Sequence, residues 1–431
     1  MRHDKLYLWF LSDPAAPRYV GQLRLVDAGK GVSLQYGADW LASGFPLSED
    51  LLLVDIEQLP RWRGMAVGAV DDARPDRWGE RVIQYIDRPA RLSIMEYLFY
   101  AGDDRFGALG VSTSAKAYIP RSTSPLPRLA QAQRLSEIVH KVSAKEPVND
   151  IERKLLAAGG SFGGAKPKAL IEISGEQWVI KFFNNEPIDV PLVEHASMTL
   201  AAWAGIHVAQ TQVLPLVGEN ALAVRRFDRI GVMRIHCISA GTALRAQTVA
   251  GQEPELGYPS LAQLLRRAGV ADQDLNLLDM QELFRRMVFN ILIDNTDDHE
   301  KNHALLVVAP TRQGRYRLAP AYDVLTTNSG QGSQEFIVGA AQRDSTLSNA
   351  MSQCELFGYT PAQAAAEVVR VIKVVDGWRQ HFAACGVTDA DIQSLAERID
   401  GDPLLAQRQG FNPADYASRA QAPRRRNPFA R

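Results

Sequence analysis

The stretch "FNILIDNTDDHEKNHALLV", Phe289–Val307, sets asparagines, aspartates and histidines against strongly apolar sequence. Leu283, Phe284, Met287, Val288, Ile291 and Leu292 recur at helical spacing, so a helix with one apolar stripe is expected to run to about Asp294. Asp279 stands three residues before Glu282, a capping-box pattern just ahead of that stripe. "NTDDHEKN" then reads as a loop, "HALLVV" as a short strand, "APTRQG" as a turn and "RYRLAPAYD" as a second strand. Burying so many charges between a core helix and a hairpin is costly, so the cluster is expected to have a task.

A solvated loop is the bland reading of such a cluster. Zinc is a second, because His299 and His303 lie four apart, but that spacing serves zinc when both residues share a helix. A third reading uses more of the residues. Protein kinases carry an aspartate base followed five positions later by a magnesium-holding asparagine, and Asp297 and Asn302 have that spacing. The next aspartate, Asp323 in "PAYDVLTT", falls after the expected hairpin, which is the kinase order.

Such a loop needs a nucleotide-binding half upstream, and Ala157–Phe183, "AAGGSFGGAKPKALIEISGEQWVIKFF", has the features of one. Gly159, Gly160, Gly163 and Gly164 could bring bare backbone close to phosphates. "KALIEI" and "WVIKFF" read as strands around the turn "SGEQ". Lys181 lies inside the second, where it must snorkel outward or meet an anion. Glu194, opening the apolar-periodic "VEHASMTLAAWAGI", is the natural helix partner for it. A Walker loop is excluded because Ala165 stands where lysine is required. A dinucleotide fingerprint is excluded because the glycines precede a hairpin.

"SFGGAKPKAL", "WVIKF", "VEHASMTLAAWAG", "RRFDR", "NILIDNTDDHEKNHALL" and "LAPAYDVL" together resemble the HipA-like serine/threonine kinases, toxins of bacterial type II toxin–antitoxin modules. "ARPDRWGERV" and "GDDRFGALGV" resemble that family's extra N-terminal subdomain. The resemblance implies an α+β, two-lobed protein-kinase-like fold with an additional N-terminal α+β subdomain and a mainly helical C-lobe. It makes Asp297 the catalytic aspartate, Asn302 and Asp323 the magnesium ligands and Lys181 the phosphate-contacting lysine. Gly163, Gly164, Ala165, Lys166, Lys181 and Glu194 would surround ATP, and Ser161 would be the loop serine whose autophosphorylation switches the kinase off. It also implies a protein substrate, with an aminoacyl-tRNA synthetase as the leading guess. A small helix-turn-helix antitoxin of the HipB type would bind the kinase and operator DNA together. The alternative is a catalytically weak kinase-fold regulator that mainly grips that antitoxin on its operator. Asp298 and His299 have no assigned role, and Arg225, Arg226 and Arg229 of "RRFDR" could line the cleft or sit on a strand surface.

The expected divisions are 1–130 for the N-terminal subdomain, 131–260 for the nucleotide-binding N-lobe and 261–415 for the helical C-lobe with its catalytic loop. A basic tail, 416–431, is expected to be disordered or to touch DNA or a partner. "YIPRSTSPLPRLAQ", Tyr118–Gln131, reads as a connector, and Thr360–Gly386 as one helical stretch. With 431 residues, more than one core is expected. A formal net charge of −1 offers no bulk basic field for nucleic acid. Three cysteines far apart in sequence suit a reducing cytosol. No apolar run reaches the length of a membrane span, and the first residues read as a strand rather than a signal peptide.

Overall fold

Alternation of apolar and polar residues builds an antiparallel sheet within the first 112 residues. In the computed structural model, which describes residues 3–417 apart from 76, 123, 158–165, 184–185, 250 and 309–315, this sheet comprises β1 (Lys5–Phe10), β2 (Arg18–Val26), β3 (Gly31–Tyr36) and β4 (Leu109–Ser112), in the order β3-β2-β1-β4. The short helix α1 (Ala38–Ser43) buries Trp40 beside Phe10 and Phe45. Helix α2 (Arg77–Val82) runs into a wider turn at Ile83–Asp87, and α3 (Ile94–Tyr100) packs back on the sheet. Among its described residues the expected connector makes no helix or strand before Leu129, yet it is pinned: Tyr118 bonds Asp103, and Arg121 pairs with Asp87.

After α4 (Ala132–Ser143) and α5 (Asp150–Ala157) comes a second antiparallel sheet. Its strands are β5 (Lys168–Ile173), β6 (Glu176–Lys181), β7 (Thr211–Pro215) and β8 (Asn220–Arg225), ordered β5-β6-β8-β7, with α6 (Val190–Trp203) inserted before β7. The two faces of this sheet have different neighbours. Ala169, Ile171, Trp178, Ile180, Ala221 and Ala223 share a core with α4, α5 and Trp78 of α2. The alternate residues Leu222 and Val224 join the core that contains α6, so Lys181, directly opposite Leu222, is set on the α6 side.

Helix α6 is tied at both ends. Asp189 caps it through the Leu192 N–H (3.1 Å), accepts from Asn220 Nδ2 (2.6 Å), and through its own N–H reaches Asp391 (3.4 Å). At the other end Thr199 Oγ1 meets His381 Nε2 at 2.8 Å, under the Trp203 ring.

The small hairpin β9 (Arg229–Ile230) and β10 (Met233–Arg234) leads to β11 (Cys237–Ser239), α7 (Ala240–Gln247), α8 (Tyr258–Ala268) and the long, buried α9 (Leu275–Leu292). Strands β12 (Ala304–Val307) and β13 (Tyr316–Leu318) form the expected hairpin, and β11 adds a third strand beside β12. The last part of the described chain is mainly helical: α10 (Leu347–Met351), α11 (Pro361–Val375), α12 (Trp378–Ala384), α13 (Asp389–Ile399) and α14 (Asp402–Gly410). Among the described residues no helix is long and apolar enough to cross a membrane.

Two local expectations are corrected. Asp279 is not a cap, because α9 begins at Leu275 and the Asp279 carboxylate is buried against β13. There it pairs with Arg317 (2.7 Å) and accepts from the Leu318 N–H (3.0 Å), so it fixes the strand rather than the helix end. The stretch 360–386 is two helices, broken at Asp376–Gly377, where a glycine weakens helix propensity.

Candidate active site

The apolar stripe of α9 delivers the chain to Ile293 at the centre of the core, and Asp294 turns it with φ 55°. The loop that follows is held from below by buried polar side chains. Tyr258 Oη donates to Asp298 and accepts from Asn290 Nδ2 (3.2 Å), while His303 Nε2 donates to Asp298 at 2.9 Å. Burial opposes ionisation of Asp298, but His303 and Tyr258 outweigh it and hold the carboxyl below its usual range. This accounts for Asp298, which the sequence left without a role. His303 thus turns its Nε2 to Asp298, and among the described residues no group of three His, Cys, Asp or Glu side chains stands together.

On that base Asp297 is exposed. Partial burial raises its carboxyl, and the charges of Asp323, Glu335 and Asp298 push the same way, against His299. Asn302 is buried, and its Nδ2 donates to the Asp297 carbonyl at 3.3 Å.

Asp323 arrives on an extended segment after β13, which is shorter than expected. The Ala321 N–H donates to the His207 carbonyl (2.7 Å) and the Ala209 N–H to the Ala321 carbonyl (2.8 Å). Arg286 of α9 supports the same segment through the Ala319 carbonyl (2.7 Å). Asp323 itself has φ 59°, a left-handed conformation that aspartate tolerates better than most residues.

The Lys181 ammonium joins the parts. It lies 2.5 Å from Glu194 Oε1 and also bonds Asp323. Burial alone would lower the Lys181 pKa, but Asp323 and Glu194 outweigh it and raise it. For Asp323 burial opposes ionisation, yet Lys181, Lys168 and His299 together hold the carboxyl at about 2. Lys181 and Glu194 are almost sealed, whereas the Asp323 side chain keeps 40% of its surface open.

Lys168 was missed from sequence. It is the direct cross-strand partner of Lys181 and so shares its face, and its charge reaches both Asp323 and Glu194. The signal was available, because counting outward from the Ser174–Gly175 turn pairs 173 with 176 and therefore 168 with 181. Trp78 Nε1 donates to the Lys168 carbonyl (2.7 Å), so the N-terminal region helps to position it. Lys166 is not joined to this group; half-exposed, it pairs with Glu186. Ser161, Gly163, Gly164 and Ala165 lie outside the described residues, as do the "APTRQG" turn and residues 418–431 of the tail.

The "RRFDR" arginines divide: Arg225 sits on a strand surface as one reading expected, whereas Arg226 and Arg229 answer to neither. Arg225 is a surface residue paired with Glu176 at 2.9 Å. Arg226 and Arg229 are buried and close on Asp228 (2.7 and 2.9 Å). Further donors of both meet carbonyls of Asp104, Arg105 and Gly107, so the motif clamps the N-terminal region to the second sheet. Gly107 has φ 74°, its N–H donates to Asp228 (2.8 Å), and a Cβ there would press on Cys237 backbone at 3.2 Å.

As a magnesium site, Asn302 and Asp323 supply the oxygen donors a hard cation requires. Asp323 spends one oxygen on Lys181 and stays partly open, and the Asn302 amide nitrogen is engaged elsewhere. The residues fit the ion.

Comparison with known proteins follows this geometry. The family model described as the HipA-like C-terminal domain matches residues 160–378, just over half of the chain. "Putative kinase Y4dM" of Sinorhizobium fredii is 32% identical over 170 residues, which are 36% of this chain and 39% of that protein. A "Putative kinase" of Haemophilus influenzae is 23% identical over 193 residues, covering 39% and 53%. The chain thus spans less than two thirds of the length of these curated relatives. The HipA of Shewanella oneidensis, solved with HipB and operator DNA, superposes with a TM-score of 0.66 at 18% identity, covering 94% of this chain and 97% of that one. The likeness extends to the whole mixed α/β fold, and the chain belongs to the HipA-like C-terminal domain family.

Proposed function

We propose that the protein is an ATP- and magnesium-dependent serine/threonine protein kinase, acting in the cytosol as the toxin of a HipA/HipB-type module. The observation that carries this reading is the Lys181–Glu194–Asp323 group, which joins a strand, a helix and the post-hairpin segment beside Asp297 and Asn302. Phosphoryl transfer depends on positioning and on neutralising charge, which is what this group offers. Lys181 and Lys168 share a face and would hold the ATP phosphates. Asn302 and Asp323 would hold magnesium, which when bound neutralises charge on the β- and γ-phosphoryl oxygens. Asp297, exposed and with its carboxyl raised, would orient the substrate hydroxyl and take its proton. Ser161 would carry the self-inhibiting phosphate, whose charge would repel the nucleotide.

The Shewanella structure contains HipB and operator DNA, which supports a helix-turn-helix antitoxin as partner here. An aminoacyl-tRNA synthetase is the first protein substrate to try. The intact set of Lys181, Asp297, Asn302 and Asp323 favours the kinase over a regulator that only grips the antitoxin.

The test is incubation of the purified protein with labelled ATP, magnesium and a lysate, followed by identification of phosphopeptides. Transfer that Asp297→Ala lowers at least about 100-fold is expected. Near wild-type transfer in that variant would overturn the assignment of the base.

A further inference from the structure

Beyond Asp323 the chain forms a cross-tied platform. Ser333 bridges Asp344 and Gly339 bridges Gln342. The Ile337 N–H donates to the Leu256 carbonyl (3.0 Å), and the Ile337 carbonyl accepts from the Tyr258 N–H (2.9 Å). The Asn349 side chain accepts from the Ala341 N–H (2.8 Å) and donates to the carbonyls of Gln342 (3.1 Å) and Asp344 (2.8 Å). Along this platform side chains alternate: Gln334 and Phe336 are buried, and Glu335 between them points outward. The Glu335 N–H donates to the Thr296 carbonyl at 3.1 Å, which fixes this acid against the residue preceding Asp297.

The other acids whose charge reaches Asp297 are already engaged. Asp323 is turned to Lys181, and Asp298 to Tyr258 and His303. Glu335 is different. Its side chain is 56% exposed, and its cation is Arg343, 3.7 Å away and itself 55% exposed. Such an open pair holds weakly and exchanges readily for another cation.

We propose that Glu335 is a substrate-specificity residue, receiving a lysine or arginine side chain that flanks the phosphoacceptor serine or threonine in place of Arg343. This rests on the kinase reading and adds a substrate class: a protein segment that is basic beside its acceptor hydroxyl. An acid anchored through its backbone next to the base both attracts that segment and rejects acidic ones.

The test uses the full chain with magnesium-ATP and a serine peptide library in which each flanking position in turn carries Lys, Ala or Glu. Wild-type protein should prefer Lys over Glu at one or more positions by roughly five- to tenfold in kcat/KM, the size of a close charge pair in high dielectric. Glu335→Gln should level the preference and Glu335→Lys should reverse it, with folding and ATP affinity unchanged. A wild-type preference for acidic or neutral flanks, or a preference that neither variant alters, would overturn the inference and leave the kinase reading standing. Absence of transfer to any peptide or lysate protein would overturn the kinase reading and this inference together.

Discussion

The Arg226–Asp228–Arg229 clamp and the Lys181–Glu194–Asp323 group both place three charges in the interior, and they differ in what is left over. In the clamp, side-chain exposure is 1–3%, and the guanidinium donors end on Asp228, Gln177 or backbone carbonyls, with Arg229 Nε left over. In the second group Lys181 and Glu194 are sealed, but Asp323 keeps 40% of its surface open beside an exposed Asp297. Closed charge serves architecture, because the group is sealed from solvent and leaves no opening for a ligand. Open charge can still take a ligand. Burial of charge alone therefore does not mark a site; the part left open to a ligand does.

The comparison breaks most sharply at Asp228. Asp228→Asn should cost about 3–5 kcal/mol, because it leaves two buried guanidiniums without their counter-ion. Urea denaturation measures this, and a loss below about 1 kcal/mol would mean that the carbonyls suffice. At Asp297 the pattern should invert. Asp297→Ala should remove phosphoryl transfer while its denaturation curve stays within about 0.5 kcal/mol of wild type, as expected for an exposed side chain.

Acid titration sharpens the contrast further. The Asp323 carboxyl titrates at about 2 in the fold against an ordinary value of 3.8. A depressed carboxylate contributes stability that is present above the unfolded value and is lost as pH falls through the folded one. Stability should therefore fall between pH 4 and 2, and Asp323→Asn should flatten that fall, as read by denaturation at fixed pH steps. The smallest effect belongs to Arg225→Ala. Its pair with Glu176 is partly exposed on both sides, so the change in stability should be under about 0.5 kcal/mol.

Periodicity made much of the frame legible. The stripe Leu283–Leu292 marked the helix, and the "SGEQ" turn marked the hairpin that carries Lys181. What stayed hidden were contacts between segments far apart in sequence. Nothing local to Asp279 announces Arg317, and nothing in "RRFDR" announces the carbonyls of residues 104–107. Local spacing also misread the helix start, because a capping pattern is common and the tertiary partner of Asp279 overrode it. Lys168 lay between these cases: register would have found it, but reading each strand singly did not.

The double anchoring of α6 carries a kinetic consequence. Swinging this helix outward would have to break the Asp189 ties to Asn220 and Asp391 together with the Thr199–His381 contact. The Lys181–Glu194 pair is thus assembled before any nucleotide arrives, so stopped-flow mixing with ATP should give a rate that rises linearly with concentration, without a slow unimolecular plateau from helix rearrangement.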